Sequence, residues 1–382
     1  MKKEKVVFIT GATGFVGSYV TRELLTRGYE VIALVRGENA EYRLSRILSQ
    51  VYGNPGEYDE LKRKLQVIRG DIVNDNLGIS PQDSDDLRQR RCRVIHCAAS
   101  VSFNETERSR IEEQNIVGTK NTLKFMRMLD LRELHYISTA YVAGKRTGII
   151  YEEDLDKGQG FHNVYEESKF KAETLVREYS ANQGIRVAVY RPSIIVGSSI
   201  TGRTSNYSGF YSYIRSLCIL IRMMKTGKQG SRHMPLRVPG SASRTLNMLP
   251  VDYAADVIAR IFDSESSLNK TYHIVNPDPP TFAHAQEAVS DYLGLSGVRI
   301  VDPSEFQINV ANKWEKIFLG AIKSITPYLQ EGGPVFSDIN TRELLEGTGI
   351  KCPEVSKEFI FKLISHCLDT NWGKNAECVT VS

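Results

Sequence analysis

Thr10-Gly11-Ala12-Thr13-Gly14-Phe15-Val16-Gly17 follows a short β-branched run and opens a segment with helical spacing that stops at Gly28. A glycine turn between a buried strand and a helix lets backbone amides approach a pyrophosphate, because no side chain stands in the way. Residues 30–35 read as the next strand, which completes a β-α-β unit. Further strands are predicted at 65–69, 93–97, 134–138 and 186–190, alternating with helices at 112–129 and 165–182. Helical patches at 40–52 and 58–64 fill a long excursion after the second strand. This alternation predicts an α/β fold with a doubly wound parallel sheet.

Beyond Gly197 the pattern loosens into a Ser/Gly/Thr-rich loop at 198–209 and a helix at 210–226. Leu249-Pro250-Val251-Asp252 opens another helix, and 271–275 reads as one more strand. The expected division is a nucleotide-binding domain from 1–197, to which 246–276 returns. A smaller, mainly helical substrate lobe is expected from 198–245 and 277–382, with apolar helices at 314–325 and 357–368.

A net charge of +4 on 382 residues argues against a nucleic-acid partner. Its distribution is uneven. Between Glu178 and Asp252 no acid occurs, where average composition would give roughly nine, while Arg186, Arg191, Arg203, Arg215, Arg222, Lys225, Lys228, Arg232, Arg237 and Arg244 do. Such a stretch reads as a solvated face or as a surface for anionic ligands. Cys92, Cys97, Cys218, Cys352, Cys367 and Cys378 show neither a metal-ligand spacing nor a disulfide framework, so reduced thiols and no metal are expected. The N-terminus lacks a secretory core, and no run of about 18 apolar residues spans a membrane. A cytoplasmic protein is expected. The apolar stretches 219–224 and 317–325 read as core, with a fatty-chain tunnel or peripheral contact with a membrane surface as the alternative.

Tyr165-Glu166-Glu167-Ser168-Lys169 carries the chemistry. A Tyr and a Lys four residues apart share a helix face, so an ammonium there would stabilise phenolate and bring a hydroxyl with a reference pKa of about 10 towards working pH. Arg36 stands at the end of the second strand, where an acid would bind a ribose hydroxyl and a guanidinium a 2′-phosphate. NADPH is therefore expected in preference to NADH, with Arg43 as a second clamp and Glu38 as the counterweight. Asp71 and Ile72 are expected beside adenine. Ala98 and Ala99 are small enough to give clearance at a strand end.

Together these features resemble the extended short-chain dehydrogenase/reductases, over about residues 5–276. The resemblance implies catalytic roles for Thr139, Tyr165 and Lys169, with Ser138 as the fallback hydroxyl. It implies cofactor contacts at Gly11, Thr13, Gly14, Phe15, Val16, Gly17, Ser100, Asn115, Pro192, Ser193 and Ile195. A narrower likeness lies in Ala40-Glu-Tyr-Arg-Leu44, Asp75-Asn-Leu-Gly-Ile-Ser80, His96-Cys-Ala-Ala-Ser-Val-Ser-Phe103 and Tyr136-Ile-Ser-Thr-Ala-Tyr-Val-Ala-Gly144. These are similar to the thioester-reductase and fatty-acyl-CoA-reductase branch. That branch implies NADPH-dependent reduction of an acyl-CoA or acyl-carrier-protein thioester to aldehyde or alcohol. In the wider superfamily the helix at 112–129 is a frequent dimer surface, which leaves a homodimer open. Phe170 stands where many thioester reductases have Trp, and the chain reads as free-standing, without an adenylation or carrier domain. Competing readings are nucleotide-sugar epimerisation or dehydration, hydroxysteroid-type alcohol oxidation, and a dinucleotide-binding module without turnover.

Overall fold

The computed structural model describes residues 5–224, 232–330 and 332–374. Cys378, Lys225 and Lys228 lie outside them. Seven parallel strands form one sheet: β1 (Val6–Thr10), β2 (Glu30–Val35), β3 (Leu65–Arg69), β4 (Arg93–His96), β5 (Glu133–Ile137), β6 (Arg186–Pro192) and β7 (Lys270–Ile274). Their order across the sheet is β7-β6-β5-β4-β1-β2-β3, so the winding reverses between β1 and β4. Such a reversal opens a crevice at the carboxyl ends of the strands. All five residues of β1 are buried, as expected of a strand covered on both faces.

Helices α1 (Phe15–Thr26), α2 (Ala40–Tyr52) and Val251–Asp263 pack one face through Leu24, Leu48 and Ile258. Gly118–Met128 and Val164–Gln183 cover the other through Leu123, Phe125, Ala172 and Val176. The helix expected at 112–129 is irregular. Arg108–Glu112 and Gly118–Met128 are joined by a π-helical turn, Glu113–Val117, which carries Asn115. The patch expected at 58–64 is helical from Pro55 to Leu61, because Asn54 caps Gly56 and Pro55 presets the first turn. A 3-10 turn, Lys62–Lys64, follows.

A second core joins Phe210–Met223, Phe282–Leu293, Lys313–Ile322 and Lys357–Asp369 through Tyr213, Leu217, Ala285, Phe318 and Leu363. A parallel pair, Arg232–Pro239 with Leu295–Val301, completes this lobe and is absent from the sequence reading. The segment 334–345 departs from the expected division by returning to the sheet side. Pro334–Phe336 pairs with Gly148–Ile150, and Leu344 and Leu345 pack on the nucleotide-binding core. The physical reason is a buried carboxylate: Glu152 accepts amides from Asn340 at 2.7 Å and His273 at 2.9 Å.

Among the described residues no helix is long and apolar enough to cross a membrane. Of the two apolar stretches, Phe318, Ile322 and Ile325 are core, whereas Ile219 and Met223 are exposed beside buried Leu220.

Candidate active site

Gly11 adopts φ +80°, and a Cβ there would lie 2.5 Å from the Ala98 nitrogen. On Gly17 a Cβ would meet the Gly11 carbonyl oxygen at 2.1 Å. Both positions exclude a side chain. No side chain caps the first amides of α1, so its N-terminal donors and partial positive charge remain available to an anion. This cradle fits the pyrophosphate of a nicotinamide dinucleotide. Thr13, Gly14, Phe15, Val16 and Gly17 form one side of a cavity of about 580 Å³. Ala99, Thr139, Tyr165, Lys169, Pro192, Ser193 and Ile195 also line it.

The other expected cofactor residues fall outside that wall. Gly11 and Ala98 face each other behind the turn. Arg36 lies 3.8 Å from Asp71 beyond the ends of β2 and β3, and Arg43 donates to the Arg36 carbonyl at 2.5 Å. Glu38 is turned towards Arg69, at 4.0 Å, with its side chain 87% exposed. Ile72 is buried against Gly118, where a Cβ would come within 2.5 Å of it. Asn115 accepts from the Ser100 amide at 2.7 Å and donates to the Ser100 carbonyl and the Ser168 hydroxyl at 3.0 and 2.9 Å. It ties the chain after β4 to the helix that carries Tyr165.

Tyr165 enters from the first turn of Val164–Gln183, which Asn163 caps by accepting the Glu166 amide at 3.1 Å. Thr139 follows β5 and donates to the Pro192 carbonyl at 3.3 Å. Burial pushes the Tyr165 phenol up to about 12, against a hydrogen bond with Thr139 that lowers it. Ser138 points elsewhere, donating at 2.7 Å to Glu173, whose carboxylate is also held by buried Arg191 at 2.7 Å. Lys169 is buried and donates to the Tyr136 hydroxyl at 2.9 Å and the Ile137 carbonyl at 2.8 Å. Burial brings its ammonium down to about 8. The expected lowering of the Tyr165 pKa by Lys169 is not observed, because that ammonium is bound to the end of β5 and desolvation dominates the phenol.

Several wall residues carried no signal for this role in sequence. Phe103 stacks at 5.8 Å on Tyr165 and at 6.3 Å on Tyr328, which arrives from the far lobe. The Tyr328 hydroxyl donates to Glu166 and accepts from Asn163. Burial raises Glu166 to about 7. Glu166 stood inside the motif read for Tyr165 and Lys169, but a carboxylate there reads as solvent-facing until Tyr328 is placed. The acid-free stretch, in turn, does not gather into one anion site. Arg186 pairs with Glu133, Arg191 with Glu173 and Arg237 with Glu315, while Arg203 donates to Gln50.

Comparison with known proteins agrees with this geometry. A profile of an NAD-binding family described as male sterility protein matches residues 9–258. The chain belongs to that family. This male sterility family member is 31% identical over 277 residues to the L-2-aminoadipate reductase large subunit of Penicillium chrysogenum, covering 68% of this chain and 18% of that protein. It is 29% identical over 360 residues to the nonribosomal peptide synthetase asaC of Aspergillus flavus, covering 90% and 33% respectively. The chain thus spans about a fifth to a third of the length of these relatives. The crystal structure of the terminal R domain from the myxalamid PKS-NRPS biosynthetic pathway matches with a TM-score of 0.76 at 25% identity, covering 96% of this chain and 91% of that one. The family member has the extended short-chain dehydrogenase/reductase architecture.

Proposed function

We propose that this chain reduces an acyl thioester with NADPH, the thioester being carried on coenzyme A or on the phosphopantetheine arm of a carrier protein. One observation carries the reading: Thr139, Tyr165 and the glycine turn line a single cavity. NADPH, when bound, supplies the hydride. Thr139 and Tyr165 then donate hydrogen bonds to the carbonyl oxygen as it gains negative charge, a role in which one donor is typically worth about 3 to 4 kcal/mol. A phenol raised to about 12 keeps its proton at neutral pH, which suits the reductive direction, where a donor is needed. Lys169 holds the Tyr136 hydroxyl and the end of β5, and lines the same cavity, where it would hold the nicotinamide ribose. Collapse of the hemithioacetal breaks the C–S bond and releases thiol and aldehyde. Arg36, with Arg43 against its carbonyl, supports NADPH over NADH. The identity to a reductase and to a peptide synthetase supports the thioester class.

The epimerase reading finds less support. A nucleotide sugar brings two phosphates, whereas Lys169 alone is charged among the described residues that line the cavity. The test mixes purified protein, NADPH and acyl-CoA or acyl-carrier thioesters while following absorbance and free thiol together. One thiol is expected per NADPH consumed where the product is the aldehyde, and one per two NADPH where it is the alcohol. Oxidation of NADPH without thiol would reject thioester reduction and leave a reductase.

A further inference from the structure

We infer that the acyl group drawn into this cavity is uncharged and apolar, and that a carboxylate or ammonium at its far end is excluded. This rests on the thioester reading and names its substrate class. Beyond Tyr165 the wall is built by Phe210, Tyr213, Met248, Phe282, Ala285 and Ile325, all from the far lobe or the strands that join it. The lone charge on the described wall, Lys169, is committed to Tyr136 and Ile137. The remaining polar groups of the wall are uncharged, and the Gln286 amide beside Ala285 is engaged. Gln286 accepts from the Tyr213 hydroxyl and donates to Ser290 at 2.7 Å. Of the charged groups behind the wall, Arg244 is held to the Tyr328 carbonyl at 3.4 Å and Glu166 is closed off by the Tyr328 hydroxyl. A charged acyl terminus would therefore lose its water without gaining a counter-charge, the costly case for a buried ion. Ala285 sets the depth: it is 1% exposed on a helix whose neighbouring Phe282 and Gln286 also line the cavity, so a longer side chain there would fill space meant for the chain end.

Hexanoyl- and adipoyl-pantetheine have acyl groups of the same carbon number that differ in one terminal carboxylate, so the pair isolates charge. With NADPH, kcat/KM for hexanoyl is expected to exceed that for adipoyl at least 100-fold. Calorimetric titration should show at least tenfold tighter binding of hexanoyl, a readout that does not need turnover. Selective binding of hexanoyl with neither compound reduced would sink the thioester-reductase reading and leave the pocket assignment standing. Equal affinities, preference for adipoyl, or no saturable binding of either would overturn the assignment. The Ala285→Leu variant is expected to lose activity on hexanoyl at least tenfold while keeping that on butyryl-pantetheine. An unchanged chain-length profile in a folded variant would remove Ala285 and this end of the cavity from acyl binding.

Discussion

Lys169 stands one helical turn from Tyr165, yet its ammonium donates to the Tyr136 hydroxyl at 2.9 Å and lies 4.4 Å from the centre of the Tyr136 ring. Tyr136 therefore acts as the platform of the lysine. The ring of His96 stacks on the same tyrosine at 5.8 Å, and its nitrogens lie 2.7 and 3.1 Å from the Thr10 and Thr119 hydroxyls. Burial holds His96 down to about 3, so this layer beneath the site places a neutral imidazole behind a cation. The consequence for chemistry is a protonated Tyr165 set beside Thr139.

Tyr165→Phe removes one of the two hydroxyls that we propose donate to the reacting carbonyl. Turnover should fall by about 10² to 10³, with NADPH affinity within threefold of the parent by fluorescence titration. Turnover within a few-fold of the parent would exclude Tyr165 from the transition state.

Tyr136→Phe deprives a buried ammonium of an acceptor, which should cost about 1 to 3 kcal/mol at pH 7. The folded pKa of Lys169, about 8, lies below its ordinary value. The unfolded chain therefore binds the extra proton between about pH 8 and 10.5, and the lysine's contribution to stability rises with pH across that window. Urea denaturation at pH 7 and 9.5 should show the deficit of the variant shrinking at the higher pH. A deficit independent of pH would mean that the hydroxyl serves packing alone.

Glu166→Gln tests the contact between the two lobes. The folded pKa of Glu166, about 7, lies above the ordinary carboxylate value, so the folded chain keeps a proton that the unfolded chain releases. Its stabilising contribution is complete below about pH 4.5 and is lost as pH rises through 7. The variant should flatten the fall of melting temperature across that window. Parallel profiles for parent and variant would contradict it.

Arg36→Ala should weaken NADPH binding about tenfold or more and leave NADH nearly unchanged, since a guanidinium distinguishes the two through the 2′-phosphate alone. Arg43→Ala, which removes the contact to the Arg36 carbonyl, should have a smaller effect in the same direction. Equal losses for both cofactors would indicate a structural role.

Local pattern was enough for the sheet. Short apolar and β-branched runs marked all seven of its strands, and helical spacing marked most of the helices that cover it, because each depends on residues close in sequence. The π-helical turn at Asn115 was not read from the sequence, since it is a single five-residue turn between two helical stretches, too short to set a period of its own. The parallel pair Arg232–Pro239 and Leu295–Val301 was equally hidden, as its partners lie more than fifty residues apart.

The chain's own order of residues determined a glycine turn that no other residue type can make, a Tyr and Lys on one helix face, and an arginine after the second strand. Tertiary structure alone decided that Lys169 is spent on Tyr136, that Ser138 turns to Glu173 and leaves Thr139 beside Tyr165, and that Tyr328 closes over Glu166. The physical reason is desolvation. Where a charge ends up, and whether a phenol loses its proton, depends on which distant groups exclude water from it.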